Sequence, residues 1–487
     1  MAQRYLALDL GAESGRGVVG EFDGATVTLQ EVHRFPNAPV RMSDTLYWNL
    51  PSLMTEVRTA IGKASEGGAI ASLGVDTWGV DFGLLDRGGR LVGLPVHYRD
   101  ARCNGMVEKV YEKVPRSEVF ASSGIQTMQI NTLFQLAALA EQSPRLLDAA
   151  DTLLFMPDLL HFYLTGTVQA EYTIASTSQM FDSVRNAWAV SLLEKAGIPT
   201  HFLPTVVSDG TSYGTLTATE AAATGAGPVP VVAPGGHDTA CAVAAVPAEG
   251  EDWAYLSSGT WSLLGVEIPA PILNPESEAA NITNEGGVRG TIRLLKNIGG
   301  LWLVQECRRA YARLGTDRTY EQLTRLAAEA EPLAAIIDPD HPSLLAPSDM
   351  PKAIRELCMA TGQTPPEGIG ATIRCCLDSL GWKYRVVLRT LGQLTGRPIR
   401  TLHIVGGGSQ NYLLNQIAAD ATGCVVLAGP TEATATGNIL LQAMAAGRIA
   451  NLAELRAVVR ASSRITRFEP DPAMVERWAE ATDRFSA

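Results

Sequence analysis

Apolar and polar positions alternate from the start of the chain. Tyr5-Leu6-Ala7-Leu8-Asp9-Leu10 runs into a Gly/Ser turn. Gly17-Val18-Val19-Gly20-Glu21-Phe22, a turn at Asp23-Gly24, and Thr26-Val27-Thr28-Leu29 follow. A period of two bounded by turn residues predicts a three-stranded antiparallel meander. The spacing then lengthens to a helical one over Pro51–Ala64, and Ile70-Ala71-Ser72-Leu73-Gly74-Val75-Asp76 reads as a buried strand entering Thr77-Trp78-Gly79-Val80-Asp81. Strand and helix signals interleave, so the class is α/β.

The opening layout recurs near residue 253. After the polar stretch Pro247 to Asp252, a strand over Trp253–Ser257, a small-residue turn at Ser258-Gly259-Thr260 and a second strand through Gly265 repeat the plan of residues 5–20. This hints at duplication. The boundary is set near residue 249, giving an N-terminal domain 1–248 and a C-terminal domain 249–487. A helical stretch over 369–394 leads to the strand Leu402-His403-Ile404-Val405, the turn Gly406-Gly407-Gly408-Ser409-Gln410-Asn411 and a helix through Asp420. Strand, glycine turn and helix is the layout of a nucleotide site.

A length of 487 residues suits two domains. A net charge of -12 argues against a nucleic-acid binder or a polybasic membrane-surface protein, since both need a positive field. Seven scattered cysteines lack the dense spacing of a secreted disulfide scaffold and read as reduced cytosolic thiols; for Cys358 and Cys375 a bridge across the short Gly/Pro-containing loop between them is the alternative to two free thiols. The first apolar run is broken by Asp9 and no basic region precedes it, and no apolar stretch reaches about 18 residues. The expected location is the cytoplasm, with no membrane, nucleic-acid or protein partner implied.

Four turns carry candidate chemistry. In Asp9-Leu10-Gly11-Ala12-Glu13-Ser14-Gly15-Arg16, glycines permit positive φ and close approach to phosphate, and a strand-end carboxylate can hold Mg²⁺ through water; an ordinary hairpin turn is the alternative. In Gly235-Gly236-His237-Asp238-Thr239, Asp238 is either a helix N-cap or a general base for a substrate hydroxyl. Ser257-Ser258-Gly259-Thr260-Trp261 offers hydroxyls to phosphates or is a plain β-turn. In the Gly406–Asn411 turn bare backbone can carry a flat ligand, while Asn411 can cap the next helix. That turn is not a GxGxxG fingerprint, since Asn411 stands where the third glycine would be, and the chain has no Walker A sequence. Asp76–Phe82 and His97–Arg102 mix aromatics with carboxylates and guanidinium groups, either as a sugar site or as a salt-bridged core.

Taken in order, these segments resemble the FGGY carbohydrate kinases over nearly the whole chain. The most specific stretches are Asp76–Phe82, Gly93–Asp100, Ala254–Leu263, Asn281–Gly287 and Leu402–Gly408. Where many members carry Trp-x-Asp-x-Arg, this chain has Tyr98-Arg99-Asp100-Ala101-Arg102. The resemblance implies two actin/hexokinase-like (ribonuclease H-like) domains around an active-site cleft, binding ATP with Mg²⁺ and a small ketose. The expected reaction is phosphorylation of L-rhamnulose at its 1-hydroxyl. By position it implies Asp238 as catalytic base and Asp9 as the residue near Mg²⁺. Ala12, Glu13, Ser14, Gly15, Arg16, Thr260, Gln305 and Gly407 would contact ATP, and Gly79, His237, Asp238, Thr239 and Asn297 the sugar.

Overall fold

A computed structural model describes residues 2–486. By packing, the chain falls into two compact units. The first holds the chain up to Ala245 with Glu267–Leu294 and Ala433–Ser462; the second holds Val246–Val266, Leu295–Glu432 and the chain from Ser463. Packing therefore does not follow a single cut near residue 249, because two segments from the C-terminal half lie with the first unit. The helix Ala433–Ala445 shows why: it is buried on nearly every side. It lies so close to the first sheet that a Cβ on Gly20 would stand 2.6 Å from Ile439 Cγ2.

The first unit is built on a six-stranded sheet. Its strands are β1 (Gln3–Leu10), β2 (Ser14–Phe22), β3 (Val27–Pro36), β4 (Ser72–Thr77), β5 (Ser212–Thr215) and β6 (Pro230–Val232), in the order β5-β6-β4-β1-β2-β3. The first three form the expected antiparallel meander, and β4 lies parallel to both β1 and β6. Every residue of β4 is buried, the polar Ser72, Asp76 and Thr77 included, as befits a central strand covered on both faces. Register then decides the chemistry, since Asp9 lies opposite Arg16 on β2 and level with Asp76 on β4. The helix Leu50–Glu66 begins on Asn49, whose side chain accepts from Ser52 N, and buries Leu53, Val57, Ala60, Ile61 and Ala64 at three- and four-residue intervals. Gly17 lets it approach, because a Cβ there would meet Ala60 Cβ at 2.8 Å.

The second unit repeats this plan. β7 (Trp253–Ser258) and β8 (Trp261–Ile268) form an antiparallel hairpin, β9 (Thr401–Val405) adds parallel to β7, β10 (Val425–Ala428) parallel to β9, and β11 (Thr466–Phe468) antiparallel to β10. A hairpin whose first strand takes parallel neighbours on its far side is the arrangement of β1, β2, β4 and β6, so the duplication hinted at by the two turns is present in the topology. The 28-residue helix Gly368–Thr395 and the helix Tyr412–Thr422 flank β9 in sequence. Among the described residues no helix is long and apolar enough to cross a membrane. All seven cysteines are free and buried.

Candidate active site

The β1–β2 turn is a tight hairpin: Gly11 N donates to Ser14 O at 2.9 Å, and Asn37 accepts nothing here but donates from N to Glu13 O and from Nδ2 to Gly11 O. Neither Gly11 nor Gly15 has positive φ, contrary to expectation. Space explains them instead, for a Cβ on Gly15 would lie 2.3 Å from the Phe35 ring and one on Gly11 3.3 Å from Ser14 O. Glu13 and Ser14 are exposed at the tip and Ala12 is half-buried. Arg16 turns back along the sheet and donates from Nε (3.0 Å) and Nη2 (2.8 Å) to Asp9 Oδ2. The structure thus joins Asp9 and Arg16, two of the sequence-predicted residues of this loop, to each other.

β6 leads into Gly235–Thr239, and this segment is gripped by groups that the sequence reading did not single out. Gly236 N donates to Glu171 Oε2 at 2.9 Å, and His237 N to Thr173 Oγ1 at 3.2 Å. The same Glu171 oxygen accepts from Thr173 N, Thr173 Oγ1 and Ile174 N. Burial pushes Glu171 up to about 7 even though these donors pull it down. The helix Asp238–Ala244 starts on His237, with no side-chain cap. Asp238 is therefore not the N-cap; its Oδ1 accepts from Thr239 N (2.5 Å) and Thr239 Oγ1 (3.1 Å). Its side chain is 31% exposed and lies 3.4 Å from His237 Nε2. Desolvation raises its pKa, with the charge of Asp9 acting in the same direction and His237 and Thr239 opposing.

Asp76 is the site residue that local pattern did not assign. It is wholly buried, and desolvation together with the charges of Asp9 and Asp238 holds its carboxyl well above the usual range. Asn438 Nδ2 donates to Asp76 Oδ2 at 2.6 Å and to Gly74 O at 3.2 Å. Gln442 Nε2 donates to Asn438 Oδ1 at 2.6 Å and to Leu6 O at 3.0 Å, and Ser72 Oγ to Gln442 Oε1 at 2.7 Å. This buried relay anchors Asp76 to the helix Ala433–Ala445. Asp76 Oδ1 has no hydrogen-bond partner. Among the described residues no group of three or more His, Cys, Asp or Glu side chains is arranged to hold a metal ion. The donor set still fits a divalent ion carried by a nucleotide and reached through water, since Asp9 stands near the end of β1, level with Asp76 and its unpartnered buried oxygen.

The aromatic segments form a hydrogen-bonded hub, which replaces the salt-bridged core considered from sequence. Asp81 Oδ2 accepts from Trp48 Nε1 (2.5 Å), Trp78 Nε1 (3.0 Å) and Tyr98 N (3.3 Å), while Oδ1 accepts from Gln135 Nε2 (3.0 Å). Trp48 lies against both Trp78 and His97, at 4.0 and 4.2 Å between ring centroids. Asp100 is likewise internal, accepting from Leu46 N and Arg102 N. The hub holds Gly79-Val80. Val80 has φ +68°, costly for a β-branched residue, and is kept there because its N donates to Thr177 Oγ1 while its carbonyl accepts from Thr132 Oγ1 and Gln135 Nε2. Gly79 is beside His237, whose Nε2 would be 3.4 Å from a Cβ at that position.

In the second unit Thr260 and Gln305 are brought together: Gln305 Nε2 donates to Thr260 Oγ1 at 3.3 Å, leaving a buried Gln305 Oε1 without a partner. Thr260 O receives Trp302 N at the start of the helix Trp302–Arg313. The three glycines after β9 differ. Gly406 has φ +83°, Gly408 is pressed on Ser258 so that a Cβ would fall 1.9 Å from Ser258 Oγ, and Gly407 has nothing within 4 Å of a Cβ. Gly407 is thus the open one. Asn411 caps the helix Tyr412–Thr422, accepting from Leu414 N. Asn297 is half-buried on the strand Ile292–Gly299.

Comparison with known proteins adds kinship to this geometry. Residues 4–245 match the N-terminal domain of the FGGY family of carbohydrate kinases and residues 254–446 its C-terminal domain. A rhamnulokinase of Bacteroides thetaiotaomicron is 45% identical over 471 residues, 96% of this chain and 96% of the relative. One of Pectobacterium atrosepticum is 42% identical over 474 residues, 96% of this chain and 93% of the relative. Among solved structures, a ligand-bound xylulose kinase from Lactobacillus acidophilus has a TM-score of 0.82 at 13% identity, covering 99% of this chain and 97% of its own. At that identity the likeness speaks to the fold.

Proposed function

We propose that this chain, which belongs to the FGGY family of carbohydrate kinases, transfers the γ-phosphoryl group of ATP to the 1-hydroxyl of L-rhamnulose, giving L-rhamnulose 1-phosphate and ADP. The reaction would serve L-rhamnose catabolism in the cytoplasm, where ATP is supplied. Kinship supports the substrate, through rhamnulokinases 45% and 42% identical over nearly the whole chain. The observation that carries the chemistry is Asp238, the one carboxylate of the Asp9, Asp76 and Asp238 group with substantial exposure.

Phosphoryl transfer asks the protein mainly for position and charge, plus a group to take the hydroxyl proton. Asp238 is proposed as that base. Its pKa is raised, which strengthens it as a proton acceptor while leaving it ionised above that pKa. Gly79, His237, Thr239 and Asn297 are the proposed sugar contacts, and Ala12 to Arg16, Thr260, Gln305 and Gly407 the nucleotide contacts. Mg²⁺ arriving with ATP would neutralise phosphate charge, with Asp9 as the carboxylate toward its water shell and the buried Asp76 behind it.

The test is ADP release with MgATP against L-rhamnulose, L-fuculose, L-ribulose, D-xylulose and glycerol, with a sugar-free control. L-rhamnulose should lead by about tenfold or more in kcat/KM, or about 1.4 kcal/mol of transition-state binding. Asp238→Asn should lower kcat by about two to four powers of ten at unchanged nucleotide affinity. Near-parental turnover in that variant would remove Asp238 from the reaction, and release indifferent to every sugar would overturn the kinase assignment.

A further inference from the structure

His237 and Asp238 are neighbouring groups that can each accept a proton, so a reaction that depends on one base must keep the other from competing. The surroundings of the imidazole decide this. Arg293 Nη2 lies 3.1 Å from His237 Nδ1, and a guanidinium only donates. Nδ1 is therefore the acceptor, and the proton of the neutral ring sits on Nε2. Arg293 is fixed in turn: it is 0% exposed, its Nε donates to Gly286 O at 2.9 Å, and its Nη1 lies 3.2 Å from Glu285 Oε2.

The other charged groups facing the ring are Glu285 Oε2, 3.4 Å from Nδ1, and Asp238 Oδ1, 3.4 Å from Nε2. Glu285 already serves Arg293, which leaves the shorter Arg293 contact to set the ring. On the Nε2 side Gly79 presents no side chain; a Cβ there would stand 3.4 Å from Nε2 and 3.3 Å from Thr177 Oγ1. A wholly buried arginine–glutamate pair is costly to desolvate and is weak support for stability as such. Its use here is directional.

We propose that Arg293, backed by Glu285, is a positioning residue that makes His237 an Nε2–H donor to an acceptor oxygen of the sugar, leaving Asp238 alone to take the hydroxyl proton. This rests on the kinase reading above. In a ketose phosphorylated at its 1-hydroxyl, the oxygen on C2 adjoins the reacting one and accepts a hydrogen bond as a carbonyl or as a ring hydroxyl. With the proton on Nδ1 instead, Nε2 would become a second acceptor competing for the same hydroxyl.

The test has a spectroscopic and a kinetic arm. Protein labelled with ¹⁵N-histidine, with His237→Gln used only to assign the signal, should show the His237 proton on Nε2. The double variant Glu285→Gln/Arg293→Met removes both buried charges together; in it the proton should spread over both nitrogens, and kcat/KM for the sugar should fall about tenfold or more while KM for ATP stays put. Arg293→Lys, which can still donate to Nδ1, should recover part of that loss. A proton on Nδ1 in the parent, or a double variant with parental sugar kinetics, overturns the proposal. If the double variant does not fold, the parent spectrum and Arg293→Lys decide. A parent that releases no sugar-dependent ADP refutes the reaction, whereas the proton on Nε2 is read independently of it.

Discussion

Gly437 sits inside the helix Ala433–Ala445, where helix propensity alone favours alanine by about 1 kcal/mol. Packing says the opposite. A Cβ on Gly437 would fall 1.9 Å from Cys241 O, 2.6 Å from Cys241 C and 3.1 Å from Cys241 Cα, all backbone of the helix Asp238–Ala244. No rotamer relieves this, so the helices must part by about 1.5 Å to restore an ordinary contact, which forfeits about half or more of the dispersion energy of each contact between them. Overpacking of this kind costs about 1–3 kcal/mol, sometimes more, and outweighs the propensity gain. Gly437→Ala should therefore lower stability by about 1–3 kcal/mol in chemical denaturation. The shifted helix begins at Asp238, and its partner carries Asn438, which holds Asp76. A displacement near 1 Å at a reacting group can cost about 10²-fold in rate, so kcat should fall further than stability alone accounts for. Gly392→Ala is the control, since its Cβ would meet only Arg397 O at 3.4 Å within the helix Gly368–Thr395. It should keep parental activity and gain a fraction of a kcal/mol. A Gly437→Ala protein as stable and as active as the parent would refute the close-contact argument.

Three further outcomes follow from the same geometry. Gly407→Ala should fold normally and, if Gly407 carries the nucleotide, raise KM for ATP; Gly408→Ala should lower the melting temperature, because its Cβ would fall on Ser258 Oγ. Glu171 titrates near 7 in the folded chain against about 4.5 when unfolded, so the native state holds the extra proton and stability declines as pH rises from about 4.5 to 7. Glu171→Gln should flatten that slope in denaturation measured across the range, and an unchanged slope would exclude Glu171 as its source. The kcat/KM profile for the sugar should lose activity as pH falls through the raised pKa of Asp238, because the base must be ionised; the residual rate of Asp238→Asn should lack that acid limb.

Local pattern carried much of the architecture. The period-two opening gave the β1–β3 meander, the segment Ile70–Asp76 gave β4, and the glycine turn after Val405 gave β9 and the capped helix at Asn411, because each depends on neighbours within about ten positions. The roles of glycines were less legible. Gly15 and Gly437 are required by Phe35 and Cys241 brought in by tertiary packing, which neither turn chemistry nor helix propensity contains.

The candidate site divides along the same line. His237, Asp238 and Thr239 stand in one strand-to-helix turn and could be picked out together, whereas Asp76 reaches its partner Asn438 across 362 positions and His237 reaches Arg293 across 56. A buried polar side chain is indistinguishable in sequence from a solvated one until the fold supplies its partner; nothing in the sequence therefore marks out Arg293, Asn438 and Gln442, although each is 0% exposed. Groups so deeply buried are held only when their hydrogen bonds are spent, and here they are spent on Asp76 and His237. The polar interior of the first unit is thus organised around the two side chains that flank Asp238, and substitutions there should change the reaction before they change the fold.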